Sequence, residues 1–264
     1  GDRSEIRRIP DSSSAWNKID ARGELCAGQR CQQFERCFIT KMHQQANESD
    51  IIIVNHHLFF ADLAVKEEEY AGIIPAYAAV IFDEAHEIED IAGQYFGLSV
   101  SNYQFTELVR DTNGLARRKN FGTTELDRTL IMLQDRADQF FALFPPQEGR
   151  FGFDQRPAFA QEYAEQYQDV LVSLELLESH LKLIKDSPEE LFPLIRRARE
   201  LYLRLETWMN SGDNSMVYWI ERRGRGMFLQ ATPIDVSRVL ADRLFNQIDT
   251  IVLTSATIAV SGSF

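Results

Sequence analysis

Three short, uniformly apolar runs set the strongest limit on how this chain can fold. Ile51-Ile52-Ile53-Val54, Ala79-Val80-Ile81-Phe82 and Thr250-Ile251-Val252-Leu253 are each of strand length and almost free of polar residues. A half-exposed strand would alternate apolar and polar side chains, because successive residues face opposite sides of a sheet. Runs without alternation are what a parallel sheet covered on both faces produces, with helical crossovers between its strands. The expected fold class is therefore α/β. The second run ends in Asp83 and the third in Thr254-Ser255-Ala256-Thr257, so polar residues gather where these strands stop.

The region between the second and third runs has a different character. Residues 105–116, 126–144 and 159–185 carry helical periodicity. Ser187-Pro188-Glu189-Glu190 reads as a helix start, with Ser187 as N-cap, Pro188 in the first position and Glu190 closing a capping box. After it Leu191, Leu194, Ile195, Ala198, Leu201, Tyr202, Leu205 and Trp208 recur on one helical face, so two long antiparallel helices are expected. Residues 216–220 and 227–231 read as a hairpin around the turn at 221–226, and 236–245 as a short helix returning to the sheet. The predicted plan is a cysteine-bearing segment (1–48), a sheet domain in two pieces (49–100 and 230–264) and a large helical insertion (101–229).

Composition narrows the function classes. The chain has 264 residues and a formal net charge of −12, which argues against gripping nucleic acid over the whole surface but leaves room for a local basic groove. No run approaches the roughly 18 apolar residues of a membrane span. The chain opens on Gly-Asp-Arg-Ser and stops soon after an apolar run where a sheet would normally continue. Both ends are expected to be cuts through a longer protein. Its three cysteines, Cys26, Cys31 and Cys37, form a tight odd-numbered cluster, which points to metal or cluster ligation rather than disulfides.

The sharpest chemical signal is Val80-Ile81-Phe82-Asp83-Glu84-Ala85-His86. An apolar strand ending in adjacent carboxylates puts them at the carboxyl edge of a sheet, where α/β folds bind ligands. Phosphoryl transfer to water needs one carboxylate to hold hydrated Mg²⁺ and another to orient the attacking water. The bland alternative is a solvated acidic loop prolonged by Glu87, Glu89 and Asp90. Cys26, Cys31 and Cys37 could converge on one inorganic centre, but a closed four-ligand site needs one more donor; zinc with His43, or three unligated cysteines, are the other readings. Asn55, His56 and His57 follow the first apolar run, and consecutive side chains there point apart, so a structural or strand-contacting role is favoured over metal binding.

Taken together these segments resemble the iron–sulfur superfamily 2 DNA helicases of the DinG- and XPD-like kind. Asp83-Glu84-Ala85-His86 resembles their DEAH box, Thr254 to Thr257 their motif III, and Asn55-His56-His57-Leu58-Phe59 the segment between cluster and DEAH box. The spacing of Cys26, Cys31 and Cys37 is similar to their [4Fe–4S] segment, whose first cysteine lies well upstream. Ala231-Thr232-Pro233-Ile234-Asp235-Val236 is similar to their return from the insertion to the motor core. The resemblance implies a partial RecA-like motor domain with an arch-like insertion that frames a pore for single-stranded DNA. It implies Mg²⁺ held by Asp83 through water, a hydrolytic water activated by Glu84, and His86 with Thr254, Ser255, Ala256 and Thr257 coupling hydrolysis of ATP to movement on single-stranded DNA, 5′ to 3′. A monomeric, cytoplasmic, nucleoid-associated parent protein without membrane contact goes with it.

Arg222, Arg223 and Arg225, and the run Arg117-Arg118-Lys119, are the basic candidates for phosphate contact, with a solvated surface patch as the blander reading. Tyr163, Tyr167 and Trp208 are expected in the core rather than as base-stacking platforms. One departure stands out. No Gly-Lys dipeptide occurs, so the phosphate loop G-x-x-x-x-G-K-[S/T] is missing and this polypeptide alone is expected to be inactive. The rival class is a non-catalytic module, stapled by a cluster or zinc, that binds nucleic acid or protein.

Overall fold

The computed structural model describes residues 31–65, 73–185 and 188–256, together with residues 6, 9–10, 13, 15–16 and 29. Helix α1 (Phe38–Asn47) and helix α2 (His56–Val65) lead to strand β1 (Ala79–Phe82), a short turn of helix (Ala85–Glu87) and α3 (Ile88–Tyr95). Strand β2 (Leu98–Ser101) then opens a long excursion through α4 (Asn102–Lys119), α5 (Thr124–Ala142), β3 (Gly149–Gly152), α6 (Arg156–Glu162), α7 (Ala164–Lys182) and α8 (Leu191–Asn210). The chain returns by strands β4 (Met216–Arg223) and β5 (Gly226–Pro233), a helix α9 (Ser237–Leu240) prolonged by a wider turn over Ala241–Phe245, and strand β6 (Thr250–Leu253).

The fold is α/β, with two sheets. β1 and β6 pair in parallel with Phe82 opposite Leu253. The second sheet is antiparallel, in the order β2-β5-β4-β3. Each sheet has its own core. Phe59, Phe60, Phe82, Ile88, Ile91, Leu240 and Leu244 pack around the parallel pair. A much larger cluster, including Phe105, Leu133, Phe140, Leu174, Leu194, Leu205 and Trp208, fills the excursion. Each such side chain taken fully from water contributes roughly 1.5–3 kcal/mol.

The helices of the excursion have legible causes. Thr123 caps α5, its hydroxyl accepting from the Leu126 N–H at 3.1 Å. Asn120 ends α4 in the left-handed conformation at φ 56°, a position its short polar side chain tolerates. Leu191, Leu194, Ala198, Leu201, Leu205 and Trp208 are all buried along α8, as the periodicity requires. The run at 159–185 is not one helix: the chain breaks between α6 and α7 at Tyr163, whose φ −112° and ψ 34° are not helical. Ser187 lies outside the described residues, and α8 begins only at Leu191. The capping box therefore falls outside the described residues; the Glu190 carboxylate pairs with Lys119 at 2.8 Å, which with its backbone contact holds the group below the usual carboxylate range.

Three further expectations need correction. Residues 51–54 form no strand: among the described residues no neighbour pairs with them, and Ile51 and Ile53 are 82% and 93% exposed. A strand exists only as part of a ladder, so an apolar run without a partner stays irregular. The hairpin is longer than its apolar runs suggest, because Glu221, Arg222 and Arg223 belong to β4 and only Gly224 and Arg225 make the turn. Gly224 takes φ 54° there, which glycine adopts at no steric cost. The expected hairpin is also not alone: β2 and β3 flank it to make a four-stranded sheet.

Leu174 is fully buried and Val172, two residues away on α7, is 50% exposed. Leu174→Ala is expected to lower unfolding stability by about 2–5 kcal/mol, and Val172→Ala by no more than about 0.5 kcal/mol, in urea denaturation. Equal effects would contradict this assignment of faces.

Candidate functional site

Asp83 and Glu84 emerge at the carboxyl end of β1, beside the carboxyl end of β6. The parallel register carries on past both strands, since the Thr254 N–H donates to the Phe82 carbonyl at 2.8 Å and the Ala85 N–H to the Thr254 carbonyl at 2.9 Å. Backbone pairing therefore forces two segments far apart in sequence into one turn-on-turn junction.

Side chains complete that junction. The Thr254 hydroxyl donates to Asp83 Oδ1 at 2.9 Å, and the Glu84 N–H donates to the same oxygen at 3.0 Å. Asp83 Oδ2 has no hydrogen bond among the described residues. Ser255 Oγ lies 3.5 Å from Glu84 Oε2 and 2.9 Å from His86 Nδ1, and His86 Nδ1 lies 3.4 Å from the same carboxylate oxygen. Asp83, Glu84, His86, Thr254 and Ser255 thus meet in one network; Ala256 adjoins it and Thr257 lies outside the described residues. The carboxylate of Glu84 is 52% exposed, so the cluster opens to solvent.

Glu84 itself sits at φ 49° and ψ 50°, in the left-handed region. A non-glycine residue there costs roughly 1–2 kcal/mol relative to the right-handed conformation. That backbone turns the chain sharply from β1 into the helical turn at Ala85–Glu87 and aims both carboxylates off the sheet edge.

Asn55 and His56 reach this region from α2. Asn55 caps the helix, its Oδ1 accepting from the Leu58 N–H at 2.8 Å. The His56 ring stacks on Phe82 at 5.8 Å between centroids, with its Nε2 buried and unpaired. His57 turns to Tyr95 at 3.3 Å, away from His56, as consecutive residues do. Asp62, which no sequence motif marks, is buried on α2 and accepts from the Ile73 and Ile74 backbone N–H groups. Only its burial, which sequence does not display, reveals that role.

Of the cysteines, Cys26 lies outside the described residues, Cys31 is exposed and Cys37 stands at the N-cap of α1. Backbone N–H groups of Thr40 first, then Ile39, draw the Cys37 thiol below its ordinary range. That favours the thiolate, the form that ligates iron or zinc, so this residue fits a metal-bound role. His43 Nδ1 lies 3.2 Å from the Ile73 carbonyl. Among the described residues no three His, Cys, Asp or Glu side chains converge on a metal position.

The basic candidates separate. Arg222 donates to the carbonyls of Pro145 and Phe144, at 2.7 and 3.4 Å, and Arg223 pairs with Glu221 at 3.3 Å. Arg225 is exposed at the turn. Arg117, Arg118 and Lys119 occupy the exposed last turn of α4. Tyr167 and Trp208 are core residues; burial pushes the Tyr167 hydroxyl up to about 12. Tyr163 packs against the same core, partly buried.

No family model matches the chain. Over its whole length it is nevertheless similar to curated proteins. The ATP-dependent DNA helicase YoaA of Haemophilus influenzae is 30% identical over 270 residues, covering 100% of this chain and 41% of the relative. YoaA of Escherichia coli is 31% identical over 262 residues, with 99% and 41% covered. The ATP-dependent helicase DinG of Mycobacterium tuberculosis is 25% identical over 272 residues, with 100% and 39% covered. A solved structure of S. tokodaii Xpd4 aligns with 80% of this chain and 41% of that chain, at 11% identity and a TM-score of 0.38. A further relative, 25% identical, is the 3′-5′ exonuclease DinG of Bacillus subtilis, and the YoaA and M. tuberculosis DinG relatives above are ATP-dependent helicases. The chain spans about two-fifths of the length of those helicase relatives.

Because Glu84 holds a left-handed backbone, Glu84→Gly is expected to leave the chain about 1 kcal/mol more stable than Glu84→Ala in urea denaturation. Equal stabilities of the two variants would show that this backbone stores no strain.

Proposed function

We propose that this chain is a section of an ATP-driven DNA helicase and carries the acidic rim of its nucleotide site. The observation that supports this most is the meeting of Asp83 and Glu84 with Thr254 and Ser255 across two parallel strand ends. In this reading residues 49–100 and 230–264 contribute to a RecA-like motor domain, residues 1–48 to the cluster segment and 101–229 to an arch-like insertion. The phosphate loop comes from elsewhere in the protein, so the isolated chain turns over no ATP.

Hydrolysis of ATP breaks the bond from the γ-phosphorus to its bridging oxygen and forms one to water, whose proton goes to a base. Mg²⁺, when bound, neutralises charge on the phosphate oxygens. Asp83 suits a water-mediated contact to it: two donors hold Oδ1 and orient the carboxylate, leaving Oδ2 to accept from metal-bound water. Glu84 takes the proton of the attacking water. Ser255 and His86 share its carboxylate, so a change in charge at Glu84 reaches β6 directly. That contact would carry the nucleotide state to the strand-binding surface, with movement 5′ to 3′ on single-stranded DNA.

Cys26, Cys31 and Cys37 would hold three corners of a [4Fe–4S] cluster, and the low thiol of Cys37 supports ligation. Iron and sulfide counts on the complete protein, with a reducible band near ~400 nm, test it; a colourless zinc-loaded protein would contradict it. For the motor reading, Glu84→Gln in the complete protein is expected to cut kcat for DNA-stimulated ATP hydrolysis by ~100-fold or more while changing KM little. Undiminished kcat would sink the assignment of Glu84 as the base.

A further inference from the structure

The outer face of the antiparallel sheet carries an aromatic and cationic arrangement that neither the core nor the acidic rim uses. Alternation along β4 and β5 turns Tyr218, Ile220, Met227 and Leu229 inward, and all four are buried. The opposite face presents Trp219 and Phe228. Arg150, on the exposed edge strand β3, lies over the Trp219 ring at 5.2 Å, and Arg223 lies over the Phe228 ring at 4.8 Å. Both guanidinium groups reach one carboxylate, Glu221, at 2.8 and 3.3 Å.

Exposure separates the partners. The Glu221 side chain is 7% exposed, whereas those of Arg150 and Arg223 are 69% and 64% exposed. The carboxylate therefore lies beneath two outward cations and holds them flat on the sheet, and the group keeps a net positive charge on a chain whose total is −12. Trp219 is pinned by its Nε1 donating to the Thr232 hydroxyl at 3.0 Å. Its register partner is Gly152, where a Cβ would meet no atom within 4 Å, so open space lies beside the ring on the edge-strand side.

We propose that this sheet face binds a segment of single-stranded nucleic acid, with bases stacking on the guanidinium planes that Trp219 and Phe228 back, and phosphates meeting the outward edges of Arg150 and Arg223. The chemistry selects that occupant. Cations held flat beside π faces match a polyanion whose units each carry a planar ring, and stacking needs no particular base. An acidic peptide would match the charge but offer nothing to the rings, and a duplex keeps its bases stacked inside. The inference deepens the DNA-binding part of the proposed function and rests on that reading for its relevance to the motor.

The test is fluorescence anisotropy of a labelled oligothymidylate with the 264-residue chain, without ATP, across a salt series. Val217 is 47% exposed on the same face, so its substitution does not threaten the fold. Val217→Glu is expected to weaken binding roughly tenfold, and Val217→Lys to tighten it and steepen the salt dependence by about one ion. Trp219→Leu is expected to weaken binding roughly tenfold with the salt slope unchanged, the signature of lost stacking rather than lost charge. Binding that ignores both Val217 substitutions overturns the proposal, as does equal competition by polyglutamate or by duplex of the same length. Should Trp219→Leu fail to fold, the Val217 pair and the competitors decide. Face-dependent binding in a protein whose complete form hydrolyses no ATP would sink the motor and leave this face. Active ATP hydrolysis with face-independent binding would do the reverse.

Discussion

Everything at the candidate site depends on the parallel ladder between β1 and β6. Four register pairs, from Ala79 with Thr250 to Phe82 with Leu253, bring together segments that are otherwise distant, and two more backbone hydrogen bonds carry the pairing into the loops. The side-chain contacts from Thr254 to Asp83 and from Ser255 to Glu84 each join residues 171 positions apart, and neither could form unless the ladder held the strand ends level. In a parallel pair both carboxyl ends lie at one edge, which is why acidic and hydroxyl groups meet there instead of at opposite ends.

Such an arrangement needs the long excursion between the strands to begin and end in the same place. It does so because β2, on the way out, pairs antiparallel with β5, on the way back, with Leu98 opposite Ala231. Gly97 makes this crossing possible: a Cβ there would lie 2.6 Å from the Ala231 carbonyl oxygen. Beyond that crossing the excursion builds its own core around Phe140, Leu174 and Trp208 and takes no apolar residue from the parallel pair. Its packing sustains it independently, so it can carry a separate surface, such as the face around Trp219, without disturbing the acidic rim.

The parts that sequence made legible were those with local causes. The helical stripe of α8 buries one consistent set of side chains, and periodicity reports that directly. The apolar runs of β1 and β6 are strands, as read, but they are not covered on both faces: Ile81 is 70% exposed, and no residue of β6 is buried. Asp83 and Glu84 were visible because a carboxylate pair directly after an apolar run has few purely structural uses. Less visible were elements that exist only through distant partners. Leu98–Ser101 and Gly149–Gly152 are four residues each, and the second is exposed throughout and glycine-rich; both are strands because the β4–β5 hairpin templates them. The run at 51–54 fails in the opposite sense, with every local mark of a strand and, among the described residues, no ladder to join. Asp62 and the pairing of Arg150 and Arg223 on the buried Glu221 escaped notice because each is defined by burial and contact, which no spacing encodes.

The central claim is geometric: two carboxylates on one strand end face a nucleotide whose other contacts come from outside this chain. The most direct measurement is a structure of the complete protein with Mg²⁺ and a non-hydrolysable ATP analogue. Asp83 is expected on a metal-bound water and Glu84 within hydrogen-bonding reach of a water in line with the γ-phosphate. A nucleotide bound away from the β1–β6 edge, with Asp83 and Glu84 facing bulk solvent, would contradict it.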